Sequence, residues 1–211
     1  MDRAEDDSSH VITKEGTAMR WTWAARTVLA GAVLLGLVGT GWAATLLVDD
    51  FDRGDKPNAL GGDFGSWDKD PSDPTQKCMI AFDKTNAFGG AGYSLRLDYD
   101  VDSPNPAYNG FWMKLQNTDL STYKKLTLYV RGDTTKGFTP QIKLELKNGK
   151  EVGRYLLKGV TDQWQQVSIP LKDFAGLSEW KGMTEFVIVF DDLTSTKKVG
   201  TIYLDEITFE S

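Results

Sequence analysis

From residue 44 to the C-terminus no stretch of the sequence keeps a helical period. Short segments of alternating apolar and polar residues recur between turn signals: SLRLDYDV (94–101), GFWMKLQ (110–116), KLTLYVRG (125–132), PQIKLELK (140–147), RYLLKGV (154–160), QWQQVSIPL (163–171), EFVIVFD (185–191) and TIYLDEITF (201–209). A period of two turns one side of each segment toward a core and the other toward solvent or a ligand. This pattern constrains the chain to an all-β sandwich or barrel. EFVIVFD is apolar on both faces, which places it in the middle of a sheet. Asn148-Gly149 predicts a hairpin of type I′, whose two central residues both need positive φ. Residues 53–92 differ: with seven glycines, three prolines and few apolar residues, they read as loop with one short strand near Met79–Phe82. A loop this long needs something to tie it down.

Two scarcities exclude more chemistry than the abundant residues suggest. The 211-residue chain has one histidine, His10, and one cysteine, Cys78. One thiol forms no intramolecular disulfide, and Cys/His zinc spacing is absent. Without His10, Ser-His-Asp and Cys-His catalysis and any His-ligated metal are excluded from residues 44–211. The net charge of −6 argues against nucleic acid, which rewards a basic face.

The N-terminal part reads as an address. Residues 27–44, TVLAGAVLLGLVGTGWAA, follow Arg20 and Arg26, and Gly41 and Ala43 supply the small residues of a cleavage site after Ala43. That is the pattern of a secretory signal peptide over residues 19–43, starting at Met19, with residues 1–18 a mis-called extension. The competing reading is an uncleaved anchor, and only in that case does the protein meet a membrane. Either way the expected location of residues 44–211 is exported, periplasmic or extracellular.

Four pieces in order, VDDFD (48–52), DLSTYKKLTLYVRGD (119–133), WQQVSIPLKDF (164–174) and GTIYLDEITF (200–209), resemble the galactose-binding-like jelly roll shared by several carbohydrate-binding modules. The nearest likeness is to carbohydrate-binding module family 11. The complex I intermediate-associated protein 30 domain, a second relative, has a similar layout. The resemblance spans residues 46–209 and implies one two-sheet antiparallel sandwich. It also implies a structural calcium joining the first strand to the last, held by Asp50 or Asp52 and by Asp205. Oxygen ligands suit Ca²⁺, and the loop DKPNALGG offers carbonyls. The plainer alternative is that these acids cap strand ends, and Asp49 is expected in water.

Alternation supplies a candidate ligand face. With Phe111, Met113 and Leu115 inward, Trp112, Lys114 and Gln116 face outward; with Ile142, Leu144 and Leu146 inward, Lys143 and Glu145 do so too. Arg154 and Asp191 complete one polar surface carrying one aromatic. The competing reading of that surface is a solvated sheet with cross-strand ion pairs. Trp164 and Phe174 are expected in the core, and Trp67, Trp180 and Tyr108 in loops. No row of exposed aromatics is evident. The expected function is a non-catalytic module binding a polysaccharide or envelope glycan. The alternative is an assembly protein using the same face for a protein partner. A cleft with Trp112 beside charges favours the first, a flat apolar patch the second. A carboxylate-only glycosidase is disfavoured because no acid pair stands out.

Overall fold

The computed structural model describes residues 44–211. The expected start at Met19 and the cleaved or anchoring segment lie outside the described residues. Eleven strands run in the order β1 (Thr45–Asp49), β2 (Phe64–Asp68), β3 (Lys77–Asp83), β4 (Ser94–Asp100), β5 (Tyr108–Thr118), β6 (Lys125–Gly132), β7 (Gln141–Lys147), β8 (Val152–Lys158), β9 (Gln165–Pro170), β10 (Met183–Asp191) and β11 (Val199–Glu210). One sheet has the order β3-β4-β11-β6-β9, with β1 also paired to β11; the other has the order β2-β5-β10-β7-β8. Every pairing is antiparallel. The chain is therefore an all-β, two-sheet sandwich, and EFVIVFD is its β10, the central strand of the second sheet.

The alternation seen in the sequence becomes the core. Phe64, Phe111, Met113, Leu144, Phe186, Ile188 and Phe190 point in from the β10 sheet and meet Leu95, Leu97, Tyr99, Leu128, Val130, Ile202 and Leu204 from the β11 sheet. Phe64 touches Phe51, Phe82 and Phe111 at centroid distances of 5.9, 6.0 and 5.9 Å, knitting the loop after β1 to both sheets. Full burial of one such side chain stabilises the fold by about 1.5–3 kcal/mol. Tyr99 stacks on Phe190 at 4.0 Å. Its hydroxyl accepts the N–H of buried Thr139 at 2.6 Å and donates to the Lys197 carbonyl at 3.2 Å.

Several expectations shift in detail. The β7–β8 hairpin forms, but among its turn residues only Gly149 has positive φ. Asn148 follows the last ladder pair; its N–H donates to the Glu151 carbonyl, while its side chain accepts the N–H groups of Lys150 and Glu151. The turn thus uses glycine's freedom at a single position. Residues 53–92 hold two strands, β2 and β3, rather than one. Phe174 is buried as expected. Trp164 is not in the core: half-buried, it lies 5.8 Å from Phe88 on the outer face of the β11 sheet, beside Arg131.

Replacing Tyr99 by Phe keeps the stacking and removes the acceptor for a buried N–H. The variant is expected to lose about 1–3 kcal/mol of stability, the cost of one orphaned buried donor, read from urea unfolding. An unchanged midpoint would show that Thr139 finds another partner.

Candidate functional site

The outward face of the β10 sheet is built in rows that the register makes explicit. One row across the five strands reads Gly65, Trp112, Val187, Glu145, Arg154; the next reads Trp67, Gly110, Val189, Lys143, Leu156. Lys114, Glu185 and Lys147 form a third, and Tyr108 faces Asp191 in a fourth. The middle of the face is low because β10 contributes only valines there and β2 and β5 contribute glycines. Long or ring-bearing side chains rise on both sides. The result is a trough made of two adjoining depressions of about 450 and 600 Å³ that share Tyr108, Glu145 and Val189. Four strand spacings make it roughly 19 Å long.

One end is aromatic. The Trp67 and Tyr108 rings meet edge to face at 5.8 Å, and Trp112 lines the same depression, with the Lys114 ammonium 5.3 Å from its ring centre. Trp67 and Tyr108 sit on strands β2 and β5, not in loops, so the trough has the group of aromatics that the sequence does not display as a row. In the second depression Leu156, Pro106 and the exposed Leu193 supply an apolar rim.

Between them runs a ladder of charges. Glu185 bonds Lys114 at 2.5 Å and Lys147 at 3.3 Å; Glu145 lies 3.8 Å from Lys147 and 3.1 Å from Arg154; Lys143 meets Asp191 at 2.7 Å. Burial pushes the Glu185 carboxyl up, but the Lys114 bond and the Lys147 charge more than offset this and hold it below its ordinary value. Half-exposed pairs of this kind contribute about 0–1 kcal/mol each, so the core and not the ladder holds the fold. What the ladder provides is a set of fixed donors and acceptors on which no cation lacks a carboxylate.

Of the seven residues singled out from the sequence for this face, six line the trough: Trp112, Lys114, Lys143, Glu145, Arg154 and Asp191. Gln116 does not. A bulge in β5 gives Gln116 and Asn117 positive φ, and the Gln116 amide turns away to the Gly61 carbonyl at 3.2 Å. Lys147, Glu185, Val187 and Val189 also line the trough, and the same alternation rule reaches them.

The acids of the opening loop occupy the other sheet. Asp205 on β11 is buried, and its carboxylate accepts the N–H groups of Phe88 and Glu206 at 3.1 and 2.9 Å. Burial, with the charges of Asp52 and Glu206 adding to it, pushes the carboxyl up to about 7 despite those two bonds. Asp52 leans on the loop carrying Phe88: its Oδ1 lies 1.8 Å from where a Cβ on Gly92 would stand, so only glycine leaves room for it. Asp50 is half-buried and contributes to raising Glu206. Among the described residues no three His, Cys, Asp or Glu side chains enclose an ion by themselves. A cation here would draw on Asp52, Asp205 and loop carbonyls. Asp49 is not in water as expected but buried, because β1 pairs with the C-terminal end of β11, the central strand of its sheet; its Oδ1 accepts the Phe51 N–H at 3.0 Å.

Asp191 allows a test of the ladder. Burial raises its carboxyl, and the bonds from Lys143, Thr194 and the Leu193 N–H outweigh this, so it titrates below its ordinary 3.8. A depressed native value contributes stability that is present above 3.8 and is lost as pH falls through the native value. Asp191→Asn is therefore expected to be less stable than the wild type at pH 7, with the gap narrowing toward about pH 3. Urea midpoints at both pH values measure this, and a constant gap would remove the assignment.

Solved structures with the same fold include carbohydrate-binding modules. A family 11 module from a cellulosomal cellulase of Clostridium thermocellum is 15% identical at a TM-score of 0.58, covering 79% of this chain and 94% of its own. A structure of the Clostridium thermocellum family 11 module with a β-1,3-1,4-mixed-linked tetrasaccharide gives 14%, 0.56, 78% and 94%. An exo-β-agarase matches over 25% of its own length and 77% of this chain, at 13% identity and a TM-score of 0.54. At such identities the likeness establishes the fold alone. No curated protein sequence matches the chain. The family of carbohydrate binding domain 30 matches residues 58–211, most of the chain, and the protein belongs to that family.

Proposed function

We propose that the trough on the β10 sheet is the carbohydrate-binding face, and that its ligand is a neutral, linear β-glucan bound without catalysis. The observation that carries this reading is the grouping of Trp67, Tyr108 and Trp112 beside a ladder of charges already paired with one another. Aromatic faces take the C–H face of a pyranose, and fixed charged groups bond its hydroxyls. Because each lysine and arginine in the ladder has a carboxylate within 3.8 Å, a uronate polymer would have to displace an existing partner, whereas neutral hydroxyls add to the network. The length of the trough suits an oligosaccharide stretch rather than one sugar. The mixed-linked tetrasaccharide bound by the family 11 module supports the choice of a β-glucan as the first ligand to try. A flat apolar patch, which would favour a protein partner, is not what this face offers.

The calcium implied by the fold resemblance remains part of the reading. Asp50 or Asp52 would hold it together with Asp205 and loop carbonyls, and its charge would relieve the carboxylate repulsion between β11 and the loop after β1. The export expectation rests on residues 19–43 alone.

Affinity electrophoresis against mixed-linkage β-glucan, xylan and a polyuronate tests the ligand. Retardation is expected with the β-glucan and not with the polyuronate. Trp112→Ala should lose about 2 kcal/mol, roughly 30-fold in affinity, as central aromatic anchors do. No retardation by any neutral glycan would overturn the reading. For the cation, calcium is expected to raise the melting temperature relative to chelator, and Asp205→Asn to abolish the difference. Equal melting in calcium and chelator would count against the site.

A further inference from the structure

The two trough tryptophans belong to matching tripeptides, Gly65-Ser66-Trp67 on β2 and Gly110-Phe111-Trp112 on β5. The strands pair so that each tryptophan stands opposite the other strand's glycine: Trp112 with Gly65, Trp67 with Gly110. The middle residues, Ser66 and Phe111, face each other between them.

Neither glycine is there for its backbone, since both have negative or extended φ open to any residue. A glycine in a strand interior also weakens the strand, and it commonly marks a place where another group must come close. At Gly110 that group is backbone: an added Cβ would fall 1.9 Å from the Ile188 carbonyl oxygen. Gly65 is different. The three atoms nearest to an added Cβ are all in the Trp112 indole, Cζ2, Cε2 and Nε1, at 3.1, 3.3 and 3.3 Å. The indole therefore lies across Gly65, in space that any side chain would contest. The Lys114 ammonium, itself held by Glu185, also lies over the ring.

We infer that Gly65 is a positioning residue for carbohydrate recognition: the missing side chain on β2 lets the Trp112 indole lie down over the strand, and this sets the height and tilt of the platform a sugar ring meets. The inference rests on the trough being the binding face. Gly65 itself touches no ligand. It acts through Trp112, and a β-branched residue at 65 lifts the ring into the space the glycan needs.

The consequence is a separation of stability from binding. Valine and alanine favour a strand more than glycine does. Gly65→Val and Gly65→Ala are therefore expected to melt at or above the wild-type temperature. Gly65→Val should nevertheless bind mixed-linkage β-glucan about tenfold more weakly, ~1.4 kcal/mol, with Gly65→Ala between it and the wild type. In a Trp112→Ala background Gly65→Val should add no further loss, the non-additivity expected of a residue acting through another. The tryptophan emission of the ligand-free protein should shift in Gly65→Val and not when the same change is made in Trp112→Ala. Full affinity in Gly65→Val while Trp112→Ala loses binding would overturn the role of Gly65 and leave the trough standing. Full affinity in Trp112→Ala would overturn both. Should Gly65→Val fold poorly, the alanine variant carries the same cycle, and additive losses there would overturn the inference.

Discussion

The sandwich depends on a single strand that arrives last. β11 is the longest strand, runs through the middle of its sheet, and pairs with β6 along one edge and with both β4 and β1 along the other. A bulge at Asp205–Glu206, where Glu206 takes φ 49, lets β11 change partner along that edge. Without it β1, β4 and β6 have no common neighbour. The inner face of β11, with Ile202, Leu204, Ile207 and Phe209, is also the surface against which the opposite sheet packs. The β11 sheet is therefore an assembly of sequence-distant pieces, and the acids at its bulge lie where three of them meet.

The two faces of the β10 sheet show how one alternating pattern serves two purposes. Inward residues are large and fill space; outward residues differ in size along each row, and this difference shapes a trough. Val187 and Val189 keep the middle low, Gly65 and Gly110 lower the β2 side, and lysines, glutamates and aromatics rise around them. The charges on this face contribute little to holding the fold. Being mutually paired, they are also held in place, and a ligand meets them with less loss of side-chain freedom than free lysines would suffer.

How much of this was legible in the sequence divides along a physical line. Alternation is local, so the strands, the central place of EFVIVFD and the outward set on β5, β7, β8 and β10 could be read without knowing the partners. The same rule, applied to Glu185, Val187 and Val189, reaches the floor of the trough. What could not be read depends on register. Trp67 looks like a loop residue because its short strand is defined only by pairing with β5, and the likeness of GSW to GFW has meaning only once the two are seen side by side. Gln116 departs from the alternating pattern for a related reason, since a bulge in β5 breaks the period of two. An acid at a strand end usually lies in solvent, but the pairing of β1 with the central strand of its sheet brings Asp49 inside.

The first and last described residues hold each other: the Ala44 N–H bonds Ser211 Oγ at 2.8 Å, and the Ser211 N–H bonds the Ala44 carbonyl at 3.0 Å. Both belong to the β11 sheet, whereas the trough opens on the opposite one. The described residues thus start and finish at one spot, on the sheet opposite the trough. The adjacency also means that linking residue 211 to residue 44 and cutting a surface turn such as 148–151 would keep the strand pairings of the described residues.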